Sequence, residues 1–139
     1  MNRFIGNWKL TEWINISRDG KVNYPFGKDA AGIISYDDQA NMAVQIMKKE
    51  RPLFASEDPL QAKPEEVIAA FISFMAYSGK YEVDVASSRV IHHIKLSSFP
   101  NWVGQDQVRY YEFQDNHLIL STNFIGESRH KLTWKKNET

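Results

Sequence analysis

The sequence predicts a mainly β protein: a closed antiparallel up-and-down β-barrel of about 8–10 strands, with one helix inserted mid-chain at about 64–77. Three observations predict it. Short segments alternate apolar and polar residues with period two, as strands do when one face is buried. Turn-like stretches such as "RDGK", "QDN" and "GES" separate them at hairpin length. Aromatic residues are 13% of the chain, which favours pleated half-buried surfaces or a cavity walled by rings.

From Trp8 onward the period is two. Trp8, Leu10, Ile14 and Ile16 share one face with Glu12 as the exception, and Lys9, Thr11 and Asn15 share the other with Trp13. The Asp-Gly of "RDGK" turns the chain into a short "VNYP" strand and a "PFG" turn. "AGIISY" and "NMAVQIM" follow as two strands, Met42, Val44 and Ile46 on one face of the second and Ala43, Gln45 and Met47 on the other. The proline-rich, charged stretch from Lys48 to Pro64 is a loop. Pro64 suits a first helical turn, and Glu65 and Glu66 meet the positive end of the helix dipole. Val67, Ile68, Phe71, Ile72, Phe74 and Met75 give an apolar face at helical spacing, with Ser78-Gly79 as the expected stop. Strands resume with "KYEVDVA", which puts Tyr81, Val83 and Val85 on one face. "RVIHHIKLS", "QVRYYEF", "HLILSTNF" and "RHKLTW" complete a meander.

Length fits one domain, residues 1–139, large enough for a real core. Basic and acidic residues balance at 17 each with no long run of one sign, so the basic stripe a nucleic-acid partner requires is missing. There is no cysteine, which excludes disulfide and thiolate chemistry. "MNRFIG" contains no apolar run of signal-peptide length, and no stretch approaches membrane-spanning length, so a soluble cytoplasmic protein is expected.

Gly6-x-Trp8 at the entrance to the first strand occurs together with "YPFG" at Tyr24, "GIISYDDQANMAVQIM" at Gly32 and "AYSGKYEVD" at Ala76. "IHH" at Ile91, "NWVGQDQVRYYEF" at Asn101 and "LILST" at Leu118 extend the set over nearly the whole chain. The set resembles the small lipocalin-like domain family, a calycin-type barrel. That resemblance implies a barrel fold and says little about chemistry. It also implies that Trp8 packs across one barrel end beneath a late-strand arginine. Arg109 is preferred over Arg129 because it lies inside an alternating strand.

The expected function is binding of a small apolar or aromatic molecule inside the barrel. Candidate lining residues, from alternation, are Trp8, Met42, Val44, Tyr81, His92, Arg109, Tyr111 and Phe113; a bulge would reverse part of that set. Arg109 closes the barrel against Trp8 or binds a ligand carboxylate or phosphate. His92 is a wall histidine or an acid–base group; by the parity of Val90, Ile94 and Leu96 it faces inward, while His93 faces out. The two rings therefore cannot share a metal ion, and no metal site or cofactor is expected. Phe99 and Trp102, in the loop "SSFPNWVGQDQ", are candidate portal residues or packing staples. The helix is a lid over one barrel end or the contact of a homodimer; its polar face lacks the basic residues of a membrane-surface helix. The alternative function is an isomerase, cyclase or hydratase that moves a proton with His92, Tyr81 or Tyr111. Nucleophile elbows, phosphate loops and dinucleotide fingerprints are absent from the sequence.

Overall fold

The computed structural model describes residues 2–137. Its strands are β1 (Gly6–Ser17), β2 (Val22–Asn23), β3 (Ala31–Tyr36), β4 (Asn41–Met47), β5 (Phe74–Asp84), β6 (Arg89–Ser97), β7 (Asp106–Gln114), β8 (His117–Ser121) and β9 (Ser128–Lys136), with one helix, α1 (Pro64–Ile72), between β4 and β5. Neighbours from β3 to β9 pair antiparallel in chain order. β1 pairs with β3 through Gly6–Lys9 and with β9 from Trp8↔Lys136 to Ser17↔Ser128. That second pairing closes an eight-stranded barrel. β2 is an extra strand that pairs only with β1. Closure leaves the barrel strands no exposed edge, and eight strands enclose an interior wide enough for side chains or one small ligand.

Two bulges decide which side chains face inward. In β1 the register slips between Leu10 and Glu12, so Thr11 is the extra residue. Trp8 and Leu10 point inward before it and Trp13 after it, against the expectation that Ile14 and Ile16 continue the inner face. In β6 the slip between Ser78 and Gly79 of its partner leaves Lys95 as the extra residue, and Leu96, expected inside with His92 and Ile94, is 70% exposed. The second bulge needs Gly79. A Cβ there would lie 1.9 Å from the His93 carbonyl oxygen, a contact no side chain tolerates.

The helix is shorter than the sequence pattern suggests. It ends at Ile72, and Phe74–Tyr77, expected in its last turn, are the first residues of β5. Its end has a local cause. The Ser73 hydroxyl donates to the Ala69 carbonyl at 2.7 Å and accepts from Arg51 Nε at 2.9 Å, while Arg51 also reaches the Ala70 carbonyl. These side chains satisfy carbonyls left without helical partners. At its start the Glu66 carboxylate accepts from the backbone N–H of Lys63 and of Ala55, which lowers its pKa. Val67, Ile68, Phe71 and Ile72 are all exposed, so α1 is an apolar flap beside the barrel.

One barrel end is filled. Phe4, in the turn before β1, is 2% exposed and sits edge-on to Tyr36, Tyr111 and Phe113 with centroids 5.1, 4.9 and 5.0 Å away. The Trp8 indole N–H donates to the Phe4 carbonyl at 2.8 Å. The cation over Trp8 is Lys136, its Nζ 4.7 Å from the ring centroid, and not Arg109. β9 pairs with β1 at this point and delivers Lys136 directly, whereas Arg109 lies on the wall of the opposite end. Gly6 has φ +132°, a backbone conformation that residues with a side chain rarely adopt, which explains a glycine two residues before this tryptophan.

Candidate ligand-binding site

The other end of the barrel holds a cavity of about 480 Å³. Its floor and walls are mainly apolar: Ile34 of β3, Val44 and Ile46 of β4, Met75 of β5, Leu120 of β8, Leu132 and Trp134 of β9, with Trp13 delivered by the β1 bulge. Phe71 and Ile72 of α1, Phe74 at the start of β5, and Phe99 and Trp102 of the β6–β7 loop form its rim. Phe71, Ile72 and Phe99 are exposed, so the cavity opens between α1 and this loop. The rings brace one another: Trp102 lies edge-on to Tyr77 at 5.7 Å and to Phe99 at 5.4 Å, and Trp13 packs on Phe26 at 4.8 Å.

Polar groups are few. His92, 1% exposed, is held between two tyrosines: Tyr36 Oη is 2.7 Å from Nε2 and Tyr77 Oη is 2.7 Å from Nδ1. Burial, reinforced by the charge of Arg109, pushes its pKa down to about 3, so it is neutral near pH 7. Burial raises both tyrosines. His130 accepts the Trp13 indole N–H at Nδ1, 3.1 Å away; burial and then Arg109 lower its pKa. Arg109 forms no ion pair among the described residues; its guanidinium donates to Gln107 Oε1 at 3.3 Å and to the Val108 carbonyl at 3.0 Å. Among the described residues it is the one Lys or Arg that borders this mainly apolar chamber.

The sequence-derived set divides between the two barrel ends. Val44, His92, Arg109, Phe99 and Trp102 border the cavity together. Trp8, Met42, Tyr81, Tyr111 and Phe113 also belong to or pack against the core, but they do not border the cavity. Tyr81 Oη donates to the Asp37 carbonyl at 2.7 Å and accepts from Asn2. Trp13, Tyr77, His130 and Trp134 border the cavity and escaped the sequence reading. The signal for Trp13 was Glu12: a carboxylate on the supposed inner face marks the bulge that turns the next residue inward. His130, Leu132 and Trp134 share one strand parity, so they were legible. His93 lies outside, its Nδ1 on Asp106 at 2.6 Å and its Nε2 on Glu82 at 2.8 Å, which places the carboxylates at opposite ring nitrogens rather than around one ion.

The profile of the lipocalin-like domain family matches residues 5–137, almost the entire barrel. The chain belongs to the lipocalin-like domain family. Within reach of this lipocalin-like chain is the 4'-hydroxy-3'-methoxypropiophenone carrier protein ppsC of Aspergillus oryzae, 37% identical over 106 residues that cover 68% of this chain and 96% of the relative. Among solved structures it is similar to a redesigned β-barrel, at 10% identity and TM-score 0.48 over 97% of this chain and 92% of that one. A mutant of the fluorescent protein UnaG is similar at 13% identity and TM-score 0.42, over 96% of each chain. No helix among the described residues is long and apolar enough to cross a membrane.

Proposed function

We propose that this protein is a carrier for a small, mainly apolar aromatic molecule held in the cavity at the open end of the barrel. The observation that carries the proposal is the cavity: about 480 Å³, walled by rings and branched aliphatic side chains, with a handful of polar groups. Ligand sites are typically roughly 300–1,000 Å³, mostly apolar, with a few fixed polar groups that set orientation. The relative named as carrier of a propiophenone supports an aryl ketone as the ligand class.

The isomerase, cyclase or hydratase reading has less support. His92 and Tyr77 do border one cavity, but a general acid or base works best with a pKa near the working pH. His92 sits far below that range and Tyr77 above it. Tyr81 and Tyr111 lie away from the cavity. Such groups orient a ligand better than they exchange protons with it.

Native mass spectrometry of protein from its own host, with thermal shift across aryl ketones, fatty acids and haem, tests the proposal. At a hundredfold excess over Kd a ligand adds about 2.7 kcal/mol of stability, a shift of several degrees. Leu132→Trp, which pushes a larger ring into the chamber, reduces the shift if the cavity is the site. A clean apo mass and no shift across the panel overturn the carrier reading.

A further inference from the structure

The Tyr36–His92–Tyr77 chain has a direction. A neutral imidazole carries one proton, so one tyrosine donates to the ring and the other accepts from it. Among the described residues His92 is the one hydrogen-bond partner of the Tyr36 hydroxyl, which is buried against Phe4 and Tyr81 and does not border the cavity. If Nε2 carried the proton, the Tyr36 hydrogen would be buried without an acceptor, the costlier arrangement. Tyr36 therefore donates to Nε2, and Nδ1–H donates to Tyr77 Oη. That leaves the hydroxyl hydrogen of Tyr77, which borders the cavity, with no acceptor among the described residues.

A second donor stands in the same wall. Trp134 is 1% exposed and borders the cavity, and its indole N–H has no hydrogen-bond partner among the described residues. Arg109 adds a guanidinium, a donor without acceptor capacity. The Gln107 side-chain carbonyl oxygen already takes an Arg109 N–H.

We propose that the cavity recognises its ligand through an oxygen that only accepts hydrogen bonds, a carbonyl oxygen held by Tyr77 Oη–H, and that Tyr36 and His92 are positioning residues that fix Tyr77 as a donor. The inference rests on the carrier reading and adds to it which protein atom meets the ligand's oxygen and why its polarity is set from the closed end of the barrel.

Two measurements test it. Nitrogen-15 NMR of histidine-labelled wild-type protein near pH 7, with His92 assigned by its loss in His92→Gln, is expected to show the proton on Nδ1 and a bare Nε2; a protonated Nε2 overturns the proposal. Calorimetry with propiophenone and with propylbenzene, which lacks the carbonyl, is expected to show roughly three- to tenfold tighter binding of the ketone. Tyr77→Phe removes that preference and keeps propylbenzene binding. Tyr36→Phe, at the closed end, also shrinks it, because Nδ1 is then free to accept the Tyr77 proton; a purely structural Tyr36 would weaken both compounds alike. Equal wild-type affinities overturn this proposal and leave the carrier reading standing, whereas binding of neither compound, with a clean apo mass and no shift across the wider panel, removes both.

Discussion

A buried neutral histidine makes this barrel sensitive to acid, and the size of the effect follows from the structure. In the unfolded chain His92 titrates near its ordinary 6.5; in the fold its pKa is about 3. Below pH 6.5 the unfolded chain takes up a proton that the folded chain refuses, so stability falls as pH falls. Each pH unit is worth about 1.4 kcal/mol, which gives a loss of about 2 kcal/mol at pH 5 and a ceiling of about 5 kcal/mol near pH 3. His130, also lowered, acts in the same direction, and carboxylates add their own slope at acid pH. The comparison that isolates His92 is with His92→Gln, whose amide accepts from Tyr36 and donates to Tyr77 without titrating. Urea denaturation at half-unit steps from pH 4.5 to 7.5 supplies the assay. The wild type is expected to lose about 2 kcal/mol more than the variant between pH 7 and pH 5. Parallel curves would show that His92 takes up its proton in the fold, and would refute the dry, two-tyrosine setting assigned to it.

Two further outcomes are expected. Gly79→Ala, which drives a Cβ into the His93 carbonyl, is expected to cost about 2–4 kcal/mol or prevent folding, read by thermal denaturation; a loss under about 0.5 kcal/mol would refute the close approach. The Asp106 and Glu82 carboxylates outweigh partial burial and raise the His93 pKa, so its pairing stabilises the fold fully below pH 6.5 and is lost as pH rises through the raised value. The pair is solvent-exposed and contributes a few tenths of a kcal/mol. NMR titration should place His93 above 6.5 in the wild type and lower in Asp106→Asn, and an unshifted wild-type value would refute the pairing.

The alternation of "NMAVQIM" and "HLILS" was readable because those strands run unbroken, and period two then fixes which side chains turn inward. Where the chain carries a bulge, the same rule fails one residue later: Trp13 and Leu96 each end opposite to their expected face. Phe74 and Met75 continue a helical spacing from Phe71 equally well as helix or strand. The Ser73 and Arg51 contacts that stop the helix are tertiary and invisible to spacing. Trp8 was expected across one barrel end and lies there, but its partners escaped for a similar reason. Phe4 lies in a turn, where no periodicity marks a buried ring, and the cation over Trp8 comes from β9 through a pairing 128 residues apart in sequence. Arg109 was legible as an inward arginine; which end of the barrel it serves was not.

The stopper of rings around Phe4 stands at the opposite end of the barrel from the chamber. Because those rings consolidate the sheet at the far end, single replacements of the exposed rim residues Phe71, Ile72 and Phe99 are expected to cost the fold little. A panel of binders for differently shaped aromatics is therefore within reach from this one scaffold, provided the stopper is left untouched.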